Sequence, residues 1–356
     1  MRPSLVVLPI LFPLITGALL PLFRFRERKY RNIYVELVTL INSVMILILL
    51  YHHPGIAYRA INLAGNLEVT FKIDGLSCLF AGLIAFLWPF ATLYAFEYME
   101  HLGKENTFFA FYTMTFGVTT GIAFAGNLMT LYMFYEMLTL VTLPLVMAGM
   151  SREAILAGRK YIFYSIGGAA FAFIGFIFIF TYGNTMNFVP GGVLLGQSLG
   201  DKAGLLRLVY VLAVLGFGVK AAVFPFHGWL PAASIAPTPV TALLHAVAVV
   251  KAGAFAIIRI TYYSYGTDFL RGTWAQYVIL GFAAATILFG SARAVKEPHL
   301  KRRLAYSTVS NLSYIVFGAA LMTPAGLAGG LSHMIFHAFI KITLFYCAGA
   351  VLVGTH

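Results

Sequence analysis

Long apolar runs dominate this chain, each about the length of a membrane crossing and each interrupted by a short polar or basic stretch. A helix that crosses the hydrocarbon core of a bilayer needs roughly 20 mostly apolar residues. That length predicts about eleven spans, over residues 4–23, 33–51, 75–97, 107–125, 128–150, 161–182, 206–226, 238–262, 274–292, 303–322 and 325–352. The first run follows Arg2 alone and precedes a basic stretch, the reverse of a secretory signal, so it is expected to stay as a span. The predicted fold class is an all-α polytopic membrane protein.

Composition agrees with the pattern. Of 356 residues 60% are hydrophobic and 10% charged, with a mean hydropathy of +0.87, against about 25% charged in a soluble domain. The net charge of +12 is distributed unevenly. One set of alternate loops holds Arg24, Arg26, Arg28, Lys29, Arg31, Lys104, Arg152, Arg159, Lys160, Arg293, Lys296, Lys301, Arg302 and Arg303. The other holds Arg59, Lys72, Lys202, Arg207 and Arg271. Basic loops stay on the cytoplasmic side, which predicts a multi-pass protein of the cell (inner, cytoplasmic) membrane with its amino terminus outside. The positive charge then faces anionic lipid and not nucleic acid. Cys78 and Cys347 have neither the spacing of a metal site nor the number of a disulfide framework.

A few ionisable residues remain inside the apolar runs, where a charge costs about 2.5 to 3.5 kcal/mol on insertion scales and ordinarily faces the protein interior. Glu136 sits in LYMFYEMLTLV and is read as the one carboxylate deep within a span. Lys220 and His227 flank a break in the seventh run, His245 and Lys251 lie in the eighth, and His333, His337 and Lys341 lie in the eleventh. Paired helices would account for any one of them; the whole set points to a proton relay. Burial drives an ammonium toward neutrality, so a buried lysine whose carboxylate partner approaches or retreats would load and release a proton. Glu136 is the natural partner. The last three residues are four apart and share one helical face. That spacing also suits a metal or a structural hydrogen-bonded stripe, but no carboxylate accompanies it in an HExxH arrangement and both rings project to one side, so neither metal nor cofactor is assigned.

The stretch GVKAAVFPFHGW places Lys220 beside Ala221, whose carbonyl loses its helical donor to Pro225. Pro231, Pro237 and Pro239 follow, so the chain between the seventh and eighth runs is not continuous helix. Broken helices persist at membrane depth only where the freed backbone is buried in protein or lines a wet cavity.

These motifs carry a resemblance. VKAAVFPFHGWLPAASIAPTPVTALLHAVAVVKAG, KRRLAYSTVSNLSYI and HMIFHAFIKITLFYCAGA resemble the antiporter-like subunits shared by respiratory complex I, Mrp cation/proton antiporters and membrane-bound hydrogenases. The likeness runs from about the third span to the last. It implies that Glu136 on the fifth helix pairs with Lys220 on a discontinuous seventh helix, and that Lys251 on the eighth passes protons along the midplane. It also implies that Lys341 is the lysine of the eleventh helix and that His245, His333 and His337 are relay histidines. The family's tryptophan before the glutamate is absent from FYEML. The implied fold is two inverted five-helix repeats. On this chain that gives residues 1–100 as helices one to three, 101–265 as a complete first repeat (helices four to eight) and 266–356 as a partial second repeat (helices nine to eleven). KYIFYSIGGAA and HMIFHAFIKIT, in corresponding positions, share two aligned identities. The sequence ends at His356, after the eleventh span and before a second discontinuous helix, which leaves a companion chain, a truncated product or conduction through the first half as alternatives.

The resulting expectation is an ion-translocating subunit, for protons or for sodium and protons, working through Glu136, Lys220, His227, His245, Lys251, His333, His337 and Lys341. Its partners would be other membrane subunits, including homologous ones and a chain supplying the remaining helices, together with lipid. Without a cysteine cluster or a dinucleotide motif in the chain, no cofactor is assigned and redox chemistry is left to the partners. A structural or assembly subunit with a non-conducting second half, and a stand-alone secondary transporter, are the rival readings.

Overall fold

The computed structural model describes residues 2–52, 55–65, 67–100, 105–194 and 200–355; Lys104 of the basic loops lies outside the described residues. Its helices in chain order begin with α1 (Leu8–Leu19), α2 (Arg28–His52), α3 (Gly75–Met99), α4 (Glu105–Ala123), α5 (Leu128–Val146), α6 (Arg152–Tyr182) and α7 (Ala203–Gly218). There follow the short α8 (Trp229–Ala233) and α9 (Thr238–Ala242), then α10 (Val249–Arg259), α11 (Thr267–Leu270), α12 (Trp274–Lys296), α13 (Leu300–Ala320) and α14 (Pro324–Thr355). Each predicted span falls on a helix. Among the described residues, eight helices are long and apolar enough to cross a membrane. Of the others, α7 has 16 residues, α4 carries five threonines and α13 opens on Lys301, Arg302 and Arg303.

Helix starts follow capping chemistry: a side-chain oxygen takes an amide hydrogen that the first turn cannot satisfy. Asp74 accepts from the Ser77 amide, Asn127 from the Thr130 amide at 2.8 Å and Ser151 from the Ala154 amide at 3.1 Å. The helices also run past their apolar cores into the basic stretches. Arg159 and Lys160 are therefore on α6, and Arg28 and Arg31 on α2, where buried Arg31 pairs with buried Glu105.

An antiparallel hairpin, β1 (Ala57–Ala64) and β2 (Leu67–Lys72), joins α2 to α3 and was not expected among the spans. Its free edge is used. The Lys72 amide donates to Phe124 and Thr70 accepts from the Gly126 amide, both at 2.8 Å, while the Asn127 side chain donates to Glu68 at 2.7 Å. The hairpin thus closes the link between α4 and α5 and leaves fewer unpaired strand groups.

At the centre, α9, a π-turn over Leu243–Val247, α10 and a second π-turn (Ile260–Tyr265) form one helix, Thr238–Tyr265, that is buried except at Tyr262 and Tyr263. Around it α1 packs on α4, α6 on α7, and α12 and α14 on α13. The sequence expectation placed a discontinuous seventh span over 206–226 with its break set by Pro225. The helix instead ends at Gly218, and Ala222 takes a left-handed φ of 55°, so the chain leaves the helix before the proline acts. Freed carbonyls find side chains: Trp229 Nε1 donates to Val219 at 2.7 Å and the Tyr135 hydroxyl to Phe217 at 2.8 Å. That accounting is what permits irregular backbone inside an apolar core.

One ion pair ties the hairpin side to the central helix. Fully buried Arg259 donates to Asp74 through two bonds, at 2.5 and 2.8 Å, and to Ser77 Oγ at 2.9 Å. Burial alone pushes the Asp74 carboxyl up, but the hydrogen bonds and charge of Arg259, with those of Ser77, hold it below the ordinary carboxylate range. Asp74→Ala leaves a buried guanidinium unpaired and is expected to cost about 3 to 5 kcal/mol. Adding Arg259→Met should recover most of that loss in detergent unfolding measurements. The depressed acid stabilises the fold above its unfolded value near pH 4, so the wild-type advantage over the double variant should vanish only as pH falls below about 4.

Candidate functional site

Lys220 lies in the break, immediately after α7, with its side chain 1% exposed. Its ammonium donates to the Tyr135 carbonyl, sits 3.3 Å from the centroid of the Tyr135 ring, and is 3.9 Å from Glu136 Oε1. Two consecutive residues of α5 thus hold one buried cation, by a carbonyl and a ring face on one side and a carboxylate on the other. The Glu136 side chain is 30% exposed and its Oε1 has no hydrogen-bond donor. At 3.9 Å this is a loose contact, held by charge more than by a formed hydrogen bond.

Lys251 belongs to the central helix, and the way it is brought near the break is backbone packing. A Cβ placed on Gly253 would lie 2.4 Å from the Ala221 amide nitrogen and 2.9 Å from the Lys220 carbonyl carbon. Only a glycine lets α10 rest on that backbone. Lys251 Nζ meets His337 Nδ1 of α14 at 2.5 Å. The His337 and His333 rings follow at 5.9 Å between centroids, and His333 Nε2 meets Asn311 Oδ1 of α13 at 3.1 Å. Lys341 donates to Ser307 Oγ of α13 at 2.7 Å. His245, in the first π-turn, has both ring nitrogens buried without a hydrogen-bond partner and packs edge-on against Phe345.

Of the predicted residues, Glu136 and Lys220 come together on one side, and Lys251, His337 and His333 on the other. Lys341 and His245 lie on α14 and on the central helix that packs against it. His227 is set apart: its ring packs on Phe224 and Phe289, at 5.7 and 4.6 Å, facing α12. Pro225, Pro231, Pro237 and Pro239 all fall between α7 and the central helix or at the latter's first turn. Among the described residues no three histidine, cysteine, aspartate or glutamate side chains converge as metal ligands.

Several participants escaped the sequence reading. Tyr135 stands where the resemblance has tryptophan and supplies both ring and carbonyl to Lys220. Asn311 and Ser307 are polar positions of the quoted KRRLAYSTVSNLSYI stretch, four apart on the α13 face that meets α14. Lys301, assigned to a basic loop, is buried and donates to the Ala236 carbonyl at 2.7 Å. Glu36 corrects the view of Glu136 as the one deep carboxylate. Because α2 begins at Arg28, Glu36 lies more than two turns inside a span, half-buried, with Oε2 lacking a donor.

Ionisable side chains aligned inside apolar helices define a multi-pass membrane protein with a buried polar axis. Two family models match it: one described as NADH:quinone oxidoreductase/Mrp antiporter, TM, over residues 125–356, and one described as NADH-Ubiquinone oxidoreductase (complex I), chain 5 N-terminus, over residues 61–109. The chain belongs to the first of these families, whose model covers more than half of it. NADH-quinone oxidoreductase subunit N of Desulforudis audaxviator (strain MP104C) is 35% identical over 273 residues, which is 76% of this chain and 53% of the relative. Hydrogenase-4 component B of Escherichia coli (strain K12) is 30% identical over 307 residues, 81% of this chain and 44% of the relative. The chain thus spans about half the length of these curated relatives. The solved structure of the membrane-bound sulfane sulfur reductase, an archaeal respiratory membrane complex, contains a chain of the same fold: TM-score 0.85 at 23% identity, covering 98% of this chain and 71% of that one.

Lys251 is fully buried and its polar contact is an imidazole, an arrangement that stability alone does not favour. Lys251→Met is expected to raise unfolding stability by about 1 to 4 kcal/mol in detergent, the range for replacing buried charge by a packed apolar side chain. A fall in stability would mean that the ammonium is a structural tie.

Proposed function

We propose that this chain is an ion-translocating subunit of a larger membrane complex, moving protons, with coupled sodium movement as a second form of the same reading. The observation that carries it is the contact geometry at Lys220. A fully buried ammonium on interrupted backbone lies 3.9 Å from a carboxylate that has no other donor on that oxygen. Small shifts of α5 or of the break change that separation, and with it the proton affinity of both groups. A proton leaving Lys220 has Lys251 as its next acceptor across the Gly253 contact, then His337 and His333, with His245 and Lys341 flanking the path. His227 would act at the rim of the break.

The family relation supports a complex of membrane subunits as the setting, in the cell (inner, cytoplasmic) membrane, with the basic loops cytoplasmic and the amino terminus outside. It also supports the division into residues 1–100, a first repeat over 101–265 and a partial second repeat over 266–356, with eleven crossings and homologous subunits as neighbours. One observation favours a purely structural role for the second half: Lys301 donates to the Ala236 carbonyl between α8 and α9, and Lys341 to Ser307 of α13, as ordinary ties between elements.

Alanine substitutions separate the two. In the assembled complex, Lys220→Ala, Glu136→Gln and Lys251→Ala are each expected to slow ion-coupled proton uptake into vesicles on the order of a hundredfold, the scale of losing a positioned proton carrier. Arg59→Ala, on the exposed hairpin, should leave it unchanged. Intact proton movement in a normally assembled Lys220→Ala complex would sink the relay. Purification of the tagged chain in gentle detergent, with mass spectrometry of what accompanies it, should recover iron–sulfur-bearing hydrogenase-like or dehydrogenase-like subunits or a set of small membrane subunits. A chain that purifies alone would favour the stand-alone transporter.

A further inference from the structure

On the basic side of the molecule the first turns of α6, the segment after α8 and the start of α13 enclose a hollow of about 370 Å³. Lys160, Arg302 and His299 line it, with Glu153, Ser234 and Ile235. Two permanent cations face one carboxylate, so the hollow is net positive before His299 is counted. One turn further along α6 a second hollow, of about 270 Å³, is lined by Phe163, Gly167, Phe171, Val219 and Phe226. Lys160 and Tyr164 meet between the two. A Cβ on Gly228 would lie 3.4 Å from Lys160 Nζ and 3.1 Å from the Tyr164 hydroxyl.

The α6 members of both hollows advance three or four residues at a time, 156, 160, 163, 167 and 171, and so form one stripe along the helix. Leu156 to Phe171 is a rise of roughly 22 Å, more than the depth of one leaflet of a hydrocarbon core about 30 Å thick. The apolar part faces outward: Phe163 is 78% exposed. A Cβ on Gly167 would meet nothing within 4 Å, so this glycine leaves an open floor. A positive hollow at the membrane surface that runs into an apolar groove about 12 Å long, Phe163 to Phe171, matches a phosphate joined to the upper part of a hydrocarbon chain. Free phosphate leaves the groove empty, and a partner helix leaves the cations unmatched.

We propose that this surface is a binding site for an anionic glycerophospholipid. Its phosphate sits against Lys160, Arg302 and His299, and one acyl chain follows α6 over Gly167. The chain then touches Val219 and Phe226, which stand on either side of the irregular backbone carrying Lys220. The lipid completes the wall of the break from outside and is independent of any particular proton route.

The test is photolabelling of the complex in phosphatidylcholine vesicles containing a phosphatidylglycerol with a diazirine on its acyl chain, with labelled peptides mapped by mass spectrometry. Label is expected on residues 163–171 and 219–226. Lys160→Ala with Arg302→Ala should reduce it about thirtyfold, the effect of removing two membrane-facing charges. Gly167→Leu, which fills the floor without meeting a neighbour, should displace label from 163–171 while the complex stays assembled. Equal labelling by a phosphatidylcholine analogue, undiminished labelling in the double variant, or cross-links to a protein partner along α6 in place of lipid would overturn the proposal. Loss of label on adding inorganic phosphate at constant ionic strength would overturn it too, since the occupant of the basic hollow would then be free phosphate.

Discussion

The contact of Gly253 with the backbone of Lys220 and Ala221 is the constraint from which the rest of the site follows. Up to Thr261 the central helix is buried on every side, so that stretch has no solvent face on which to carry polar groups. It holds Lys251 and Arg259 nonetheless, two turns apart, and each must be met by a neighbour. Close approach at Gly253 brings the break to one of them, while α14 brings His337, and the hairpin end brings Asp74 to the other. A side chain at 253 would separate the central helix from the break and leave both lysines further from company. Burial without partners is what an apolar core tolerates least.

The two buried cations of that helix are treated in opposite ways, and the difference is physical. Arg259 has a planar fork matched by a carboxylate, a serine and aromatic faces, the geometry of a fixed tie. Lys251 has one imidazole. Lys220 has a carbonyl, a ring and a carboxylate too distant for a good hydrogen bond. A guanidinium does not give up its proton in a protein, whereas an ammonium in a dry setting does so readily. The same helix therefore carries a fully matched guanidinium at one end of its straight segment and, in its middle, an ammonium met by one imidazole, with π-turns on both sides of that segment.

Much of this was legible in the sequence because hydrophobic length and the exclusion of charge act residue by residue. The helix cores, Glu136, Lys220 and the four-residue spacing of His333, His337 and Lys341 needed no tertiary information. What was not legible depends on contacts far apart in the chain. Arg259 looks like a basic residue closing a helix until Asp74, 185 positions away, is seen beside it. Lys301 reads as loop charge because only the fold brings Ala236 over it. The hairpin owes its persistence to the α4–α5 link, which sequence distance conceals. Pro225 marked the break but misplaced its start, since the helix yields at Val219, where Trp229 and Tyr135 offer side-chain donors in place of helical amides.

In the proposed relay Glu136 is the element less well satisfied than most of its surroundings. Its surroundings are mostly tied: Thr142 donates within α5 and meets the Tyr161 hydroxyl at 2.8 Å, and the Tyr135 hydroxyl holds Phe217, while Thr139 Oγ1, one turn on, is buried without a partner. The carboxylate keeps an oxygen without a donor while remaining within Coulomb range of a cation. Such a group gains from a small approach of Lys220 and loses from a small retreat, and the break is the part of the helix least held by its own ladder of hydrogen bonds. The balance is therefore concentrated at one contact, inside a frame of helix caps and of the buried Arg259–Asp74 and Arg31–Glu105 pairs. In the proposed complex, a shift of α5 or of the break would act directly on that contact.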